Sequence, residues 1–199
     1  MRRTATDHVI DLARRLDLRE AGAARHCETV ARYSRTIARE LHLPLEACDA
    51  IYLAGLLHDV GKIGIASEIL AKRGPLTDDE WREMQDHPRI GAELVGGVGL
   101  HRLCEWVHAH HERPDGEGYP RGLGGAEIPL EAKILAVADS YEAMTNDRVY
   151  REAIPHERAV EELQQNAGKQ FDEVVVEAFI EVLDRSTELL QPAAVLQAS

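Results

Sequence analysis

The residues of this sequence most suited to chemistry are histidines and aspartates at or near the ends of apolar segments. They are His26, His58, Asp59, His87, His110, His111 and Asp139. Neutral imidazole and carboxylate groups together bind first-row divalent metals such as iron, manganese, zinc or nickel. Because these side chains lie far apart in the chain, they can meet only if helices pack as a bundle with these ends gathered, as bundle cores do when they build metal sites.

The size of this set predicts more than one ion. Five histidines and two aspartates exceed the ligand number of a single tetrahedral ion. A carboxylate can bridge two ions, so the set predicts a two-metal centre, and we expect Asp59 to be the bridge. Asp139 lies between Ala138 and Ser140 in an apolar stretch, where a lone carboxylate would be costly to bury without a metal or a base.

Each candidate also has an ordinary structural explanation. A single histidine at a helix end commonly caps the helix or forms a hydrogen bond, and His87 before Pro88 could cap the helix that follows. The order and spacing of the whole set nevertheless favour the metal. The remaining histidines are expected outside the site, with His108 at most on its rim; they are His8, His42, His101, His108 and His156.

Composition narrows the class of protein. The net charge is −12, with 35 acidic and 23 basic residues, which disfavours nonspecific binding to a nucleic-acid duplex but leaves room for a small anionic substrate at a locally positive site. No apolar run approaches the length of a membrane-spanning helix, and residues 1–20 lack the apolar core of a secretory signal. Cys27, Cys48 and Cys104 form no CxxC pair, which indicates reduced thiols in a cytoplasmic protein.

The elements that must position these residues are predicted to be helices. Apolar residues recur at steps of three and four, and no strand alternation persists, so we expect an all-α fold. The helices are expected near 6–19, 30–41, 44–57, 77–84, 90–95, 103–107, 129–144 and 174–183. Residues 77–80 form a capping-box signature, and Trp81 and Met84 are expected in the core.

Two segments interrupt the helical pattern. Residues 60–66 (VGKIGIA) are predicted as a short loop, and residues 112–128 (ERPDGEGYPRGLGGAEI) as a longer one rich in glycine and proline. A loop of that length in a compact domain is often functional, so we expect it to border the site. Its glycines allow close backbone approach.

These two segments carry a family resemblance. HDVGKIGI followed by HHERPDGEGYPRGL resembles the HD-GYP domain, a branch of the HD superfamily of metal-dependent phosphohydrolases; its GYP element is Gly118-Tyr119-Pro120. The resemblance covers roughly residues 20–185 and implies an all-helical HD-domain bundle with a GYP loop. It divides the chain into a short N-terminal helical extension (1–19), the HD-GYP domain (20–189) and a flexible tail (190–199).

The resemblance implies a cytoplasmic phosphodiesterase that hydrolyses cyclic di-GMP to pGpG and, with a second cut, to GMP. Its metal ligands fall on the seven residues named above and would hold two divalent ions, iron or manganese first, with nickel, zinc or magnesium as alternatives. Asp59 and Lys62 would be catalytic, and the groups that bind the substrate phosphate correspond to Lys62, Arg148 and Arg151.

The chain departs from the family pattern at two positions. Some members carry a glutamate one helical turn before the first histidine ligand, where it helps to hold a third metal; here Gly22 stands there, which favours two ions. Members often have an aspartate three residues after the last aspartate ligand. Here Glu142 is one methylene longer, so its contact with metal or substrate is expected to shift.

Two other functions compete with this prediction. A general HD-type nucleotide phosphohydrolase would need the His-Asp core but no GYP loop. An interaction module with weak or no turnover would contact a signalling partner such as a diguanylate cyclase (GGDEF) domain, although an intact ligand set weighs against decay. No membrane contact is expected, and the oligomeric state is left open.

Overall fold

The computed structural model describes residues 5–147 and 152–185, and in those ranges every regular element is a helix. The α-helices are α1 (Ala5–Arg19), α2 (Ala23–Glu40), α3 (Leu45–Leu57), α4 (Ser67–Leu70), α5 (Asp78–Met84), α6 (His87–Gly97), α7 (His101–Ala109), α8 (Leu130–Thr145), α9 (His156–Gln165) and α10 (Glu173–Arg185). Two 3₁₀ turns cover Val60–Gly64 and Gly125–Glu127. The predicted all-α fold is confirmed, and within the described part of the chain no helix is both long and apolar enough to cross a membrane.

The core forms where α2 packs against α3, α8 and α10. Val30 and Ile37 on α2 lie one above the other and are fully buried, as expected for an apolar stripe with helical spacing. Ile51 on α3 and Phe179 on α10 are buried in the same cluster. The N-terminal α1 joins this core through Val9 and Leu12.

Close backbone contact joins α2 to α3. A Cβ atom on Gly55 of α3 would lie 2.5 Å from the Cα of Ala31 on α2, so only glycine allows the helices to approach this closely. The approach brings the start of α2 beside the end of α3. As a result the rings of His26 and His58 meet edge to face, with their centroids 5.2 Å apart.

A second close contact joins the turn after α3 to α6. A Cβ atom on Gly61 would lie 1.8 Å from the carbonyl oxygen of His87 and 2.5 Å from the amide nitrogen of Gly91. The 3₁₀ turn Val60–Gly64 therefore rests directly on the first turn of α6. This contact fixes the position of His87 relative to Asp59.

Three local predictions can be compared with the structure. The capping box before α5 is confirmed: Thr77 Oγ1 accepts a hydrogen bond from the Glu80 amide, and the Glu80 carboxylate accepts one from the Thr77 amide. Residues 60–66, predicted as a loop, instead begin with a 3₁₀ turn. The prediction that Trp81 and Met84 lie in the core is wrong: Trp81 is 45% exposed and Met84 is only partly buried, because α5 is a short surface helix with no buried residue.

Candidate metal centre

All seven predicted ligands meet at one end of the bundle, each delivered by a helix or its terminus. His26 lies in the first turns of α2, His58 and Asp59 follow the end of α3, and His87 begins α6. The pair His110-His111 follows α7, and Asp139 lies in α8. The residues that the sequence grouped by type are therefore grouped in space as well.

One donor group comprises His26, His58 and Asp59, whose ligand atoms lie within 4.8 Å of one another. Asp139 lies beside this group: its Oδ1 is 3.3 Å from His26 Nε2 and 3.9 Å from His58 Nε2. The group offers two imidazoles and two carboxylates, a donor set suited to a divalent first-row metal.

The second donor group comprises Asp59, His87, His110 and His111, again within 4.8 Å. Asp59 belongs to both groups, and its two oxygens face different sides. Oδ2 lies 3.4 Å from His58 Nε2, whereas Oδ1 lies 3.4 Å from His87 Nε2. This is the arrangement that a carboxylate bridging two ions requires.

Hydrogen bonds orient the imidazole rings. His58, His87 and His110 each use Nδ1 to bond the backbone carbonyl three residues earlier, at 2.8, 2.8 and 2.6 Å. With Nδ1–H donating to the carbonyl, the neutral form of each ring keeps its lone pair on Nε2, the atom that faces the centre. Among the described residues, His58 Nε2 is buried without a hydrogen-bond partner, which is unusual for a buried polar atom and fits a metal ligand.

The two donor groups differ in charge. Burial lowers the pKa of His26, but the neighbouring Asp139, Asp59 and Glu142 outweigh it and raise that pKa to about 12. Burial and the neighbouring His87 lower the pKa of His111 to about 3. The group around His26 is therefore an ion-paired cluster, whereas His111 belongs to a group of neutral imidazoles.

The carboxylates of the centre are held in their ionised form. Burial raises the pKa of Asp59, but the Lys62 ammonium and His58 lower it well below its usual value. Burial likewise raises the pKa of Asp139, and hydrogen bonding and charge from His26 bring it far below the usual range. Both carboxylates are thus available to ligate a cation.

Lys62 lies at the centre, as expected from its position after the His-Asp pair. Its Nζ is 2.7 Å from Asp59 Oδ2 and 3.5 Å from Glu20 Oε2. Its binding of a substrate phosphate stays a prediction. Arg148 and Arg151 lie outside the described residues.

The GYP loop borders the centre and touches a candidate ligand. A Cβ atom on Gly118 would lie 2.4 Å from the amide nitrogen of Arg113 and 2.6 Å from the carbonyl oxygen of His111, so the loop can pack here only with glycine. The Tyr119 amide donates to the His111 carbonyl, and the Tyr119 ring stacks on the His111 ring with centroids 4.7 Å apart. The Tyr119–Pro120 peptide bond is cis.

Glu112 is a buried residue that sequence reasoning missed. Its carboxylate accepts hydrogen bonds from the amides of Arg121 and Leu123, at 2.8 and 2.9 Å. These two hydrogen bonds hold residues 121–123 of the loop against Glu112, directly after the histidine pair. The only sequence signal is the position of Glu112 directly after that pair.

The two departures from the family pattern have clear structural settings. Gly22 precedes the first residue of α2 with φ of 90°, a backbone conformation that residues with a side chain rarely adopt. Glu142 is buried, and its Oε2 lies 2.5 Å from His26 Nδ1, on the ring edge opposite Asp139. The remaining five histidines belong to neither donor group.

Two cavities flank Tyr119. The smaller, of about 310 Å³, reaches His110 and His111 and is also lined by Trp81, Arg113 and Gln170. The larger, of about 590 Å³, lies on the side of Ile65 and Arg82. The smaller cavity therefore has two candidate metal ligands, His110 and His111, in its wall.

Comparisons with known proteins identify relatives of this chain. The family model described as HD domain matches residues 7–175. The cyclic di-GMP phosphodiesterase response regulator RpfG of Xanthomonas campestris is 41% identical over 174 residues, which cover 85% of this chain and 46% of that protein. The 3′3′-cGAMP-specific phosphodiesterase 1 of Vibrio cholerae is 41% identical over 143 residues, covering 70% of this chain and 33% of that protein.

A solved structure gives the same fold. The cyclic GMP-AMP specific phosphodiesterase V-cGAP3 of V. cholerae superposes with a TM-score of 0.69 at 19% identity, over 88% of this chain and 48% of that one. The chain thus spans less than half the length of each of these relatives. It belongs to the HD domain family and, with its HDVGKIGI and GYP segments joined at one centre, to the HD-GYP branch of that family.

Proposed function

We propose that this chain is a metal-dependent phosphodiesterase that hydrolyses cyclic di-GMP to linear pGpG, with GMP as the product of a second cut. The observation that carries the proposal is the position of Asp59, whose two oxygens face two separate donor groups beside the GYP loop. The X. campestris relative, which is named as a cyclic di-GMP phosphodiesterase, supports the choice of substrate.

The residues present fit a pair of divalent ions. His26, His58 and Asp139 would hold one, His87, His110 and His111 the other, and Asp59 both. Iron or manganese is our first choice, with nickel, zinc or magnesium as alternatives. Bound ions of this kind supply a Lewis acid for the phosphate and lower the pKa of water.

The chain's own side chains would orient and neutralise the substrate. The Lys62 ammonium, paired with Asp59 at 2.7 Å, is placed to offset negative charge on a phosphate next to the centre. Asp59 and Lys62 are the catalytic residues of the proposal. Arg148 and Arg151 complete the proposed phosphate-binding set.

An aromatic wall beside the centre would accept a purine base. Trp81 is 45% exposed, lines the cavity that reaches His110 and His111, and meets the edge of Tyr119 with ring centroids 5.8 Å apart. Stacking of a nucleobase on an aromatic side chain contributes about 1–3 kcal/mol. We therefore assign Trp81 to base binding.

A second cyclic dinucleotide is a competing substrate. The V. cholerae relative, named as specific for 3′3′-cGAMP, is as similar in identity as the cyclic di-GMP phosphodiesterase of X. campestris. A general nucleotide phosphohydrolase is less favoured, because the GYP loop lies against the centre. An interaction module without turnover is less favoured because the ligand set is complete.

The same proposal covers the partners, the cellular location and the domain bounds of the chain. The net charge of −12 argues against binding to a nucleic-acid duplex, and the three free cysteines support a cytoplasmic location. We retain a diguanylate cyclase (GGDEF) domain as the partner and expect no membrane contact. Residues 20–189 would form the HD-GYP domain, although α1 also packs on its core.

The test is a substrate panel. Purified chain is stripped with chelator, reloaded with Mn²⁺ or Fe²⁺, and incubated with cyclic di-GMP, 3′3′-cGAMP and mononucleotides, and the products are identified by mass spectrometry. We expect pGpG from cyclic di-GMP and no product from Asp59→Ala. Turnover that persists after complete metal removal would rule out the mechanism, and binding of a partner without turnover under any metal would favour the interaction module.

A further inference from the structure

Glu142 is a buried carboxylate that the candidate ligand set does not include. It lies on α8, three residues after Asp139, and is 5% exposed. Its Oε2 is 2.5 Å from His26 Nδ1. A buried carboxylate is costly unless it is paired, so this contact needs an explanation in terms of what it does for His26.

Three other histidines of the candidate ligand set use a backbone carbonyl instead. The carbonyls of Gly55, Met84 and Val107, which accept from His58, His87 and His110, all lie in the last turn of a helix. Last-turn carbonyls have no partner within their own helix, so they are free to accept from an imidazole.

His26 has no such carbonyl within reach along its own segment. It lies in the first turns of α2, where the unpaired backbone groups are N–H donors and the carbonyls are already used. The carbonyl of Gly22, for example, accepts the amide of His26 itself. A side-chain acceptor from another helix is therefore required to hold this ring.

We propose that Glu142 is a positioning residue that accepts the Nδ1–H of His26 and so presents Nε2 to the ion held by His26, His58, Asp59 and Asp139. The proposal rests on the metal centre of the proposed function but not on its substrate. A carboxylate partner fixes the ring and increases its basicity, and loss of such a partner typically weakens metal binding by about 10–100-fold.

The length of the side chain matters. An aspartate from the same backbone position would fall short by roughly 1.5 Å, one carbon–carbon bond, which takes the contact out of hydrogen-bond range. Glu142→Asp should therefore behave like Glu142→Ala rather than rescue the site. Glu142→Gln keeps the length but not the charge and should give a smaller loss.

The experiment measures Mn²⁺ binding by equilibrium dialysis for wild type, the three Glu142 variants and the control Glu131→Gln, the same chemical change near the start of α8. We expect one of the two Mn²⁺ sites to weaken by about 10–100-fold in Glu142→Asp and Glu142→Ala, while the other site and the control are unchanged. In the Zn²⁺-loaded chain, the ring N–H resonance of His26 should shift in the same variants.

Three outcomes would overturn the proposal. The first is an unchanged Mn²⁺ affinity of both sites in Glu142→Ala, and the second is wild-type Mn²⁺ affinity in Glu142→Asp. The third is loss of both Mn²⁺ sites in a variant that has also unfolded, which would give Glu142 a general structural role. Cyclic di-GMP cleavage is measured separately on the wild type. If the wild type binds two Mn²⁺ ions but cleaves no cyclic dinucleotide, the proposed function fails while the assignment of Glu142 stands.

Discussion

Replacement of Gly61 by alanine tests whether the turn after α3 sets the geometry of the metal centre. The added Cβ would lie 1.8 Å from the His87 carbonyl oxygen, whereas real contacts of this type do not fall below 3.0 Å, so the turn and α6 must separate by about 1.2 Å. Overpacking of this kind costs about 1–3 kcal/mol. It would also move His87 away from Asp59 Oδ1, which lies 3.4 Å from the His87 ring.

We expect Gly61→Ala to fold but to lose function. A displacement near 1 Å in a reacting constellation reduces rate by about 100-fold, and the second donor group should lose its ion at Mn²⁺ concentrations that saturate the wild type. The assay combines Mn²⁺ content, cyclic di-GMP turnover, circular dichroism and Tm.

The matched control is Gly97→Ala at the end of α6, where an added Cβ meets no atom within 4 Å. It should keep metal, turnover and Tm. If Gly61→Ala also keeps wild-type metal content and turnover, the close contact does not position His87 and the reasoning is refuted.

Three further perturbations separate the parts of the site. Trp81→Ala should raise KM for cyclic di-GMP by about 5–150-fold, because about 1–3 kcal/mol of stacking is lost. Turnover of bis(p-nitrophenyl) phosphate, which has no purine, should be unchanged. Equal effects on both substrates would exclude base binding by Trp81. Glu112→Ala leaves two amides of the GYP loop without their acceptor, at about 1–3 kcal/mol each, so the loop should gain protease sensitivity, and a loop as resistant as wild type would contradict this role. In chelator-treated protein, His26 should stabilise the fold most below about pH 6.5, because its pKa is raised to about 12 in the folded state. This stabilisation is lost as the pH rises towards 12, so the Tm difference between wild type and His26→Gln should shrink from about pH 7 to 9. A Tm difference that stays constant over this range would contradict the prediction.

Most candidate ligands could be predicted from sequence because they lie at the ends of apolar helical segments, where the local pattern is strongest; Asp139, inside α8, was found as a carboxylate within an apolar stretch. His58 and Asp59 follow directly from the apolar run of α3, and His110 and His111 from that of α7. Helix periodicity also predicted most of the bundle. By contrast, α9 escaped prediction because it buries only Ala159 and Leu163 and so has little apolar pattern.

The supporting contacts could not be predicted, because they join residues that are distant in sequence or depend on burial. Glu142 and His26 are separated by 116 positions, and no local pattern connects them. The burial of Glu112 could not be predicted, because its hydrogen-bond partners, the amides of Arg121 and Leu123, come close only in the folded loop. Trp81 fits a core pattern, but it is exposed because its helix is too short and too peripheral to bury a face.

The His111 ring stacks on Tyr119, lines the smaller cavity and belongs to the second candidate donor group, so one side chain contacts both the cavity and the candidate metal centre. A ligand that shifted the Tyr119 ring would therefore also shift the His111 ring, and an ion that fixed the His111 ring would also fix the orientation of Tyr119. In the proposed enzyme, the affinity for the nucleotide and the affinity for the ion would then be thermodynamically linked, and each would change the other by the same factor.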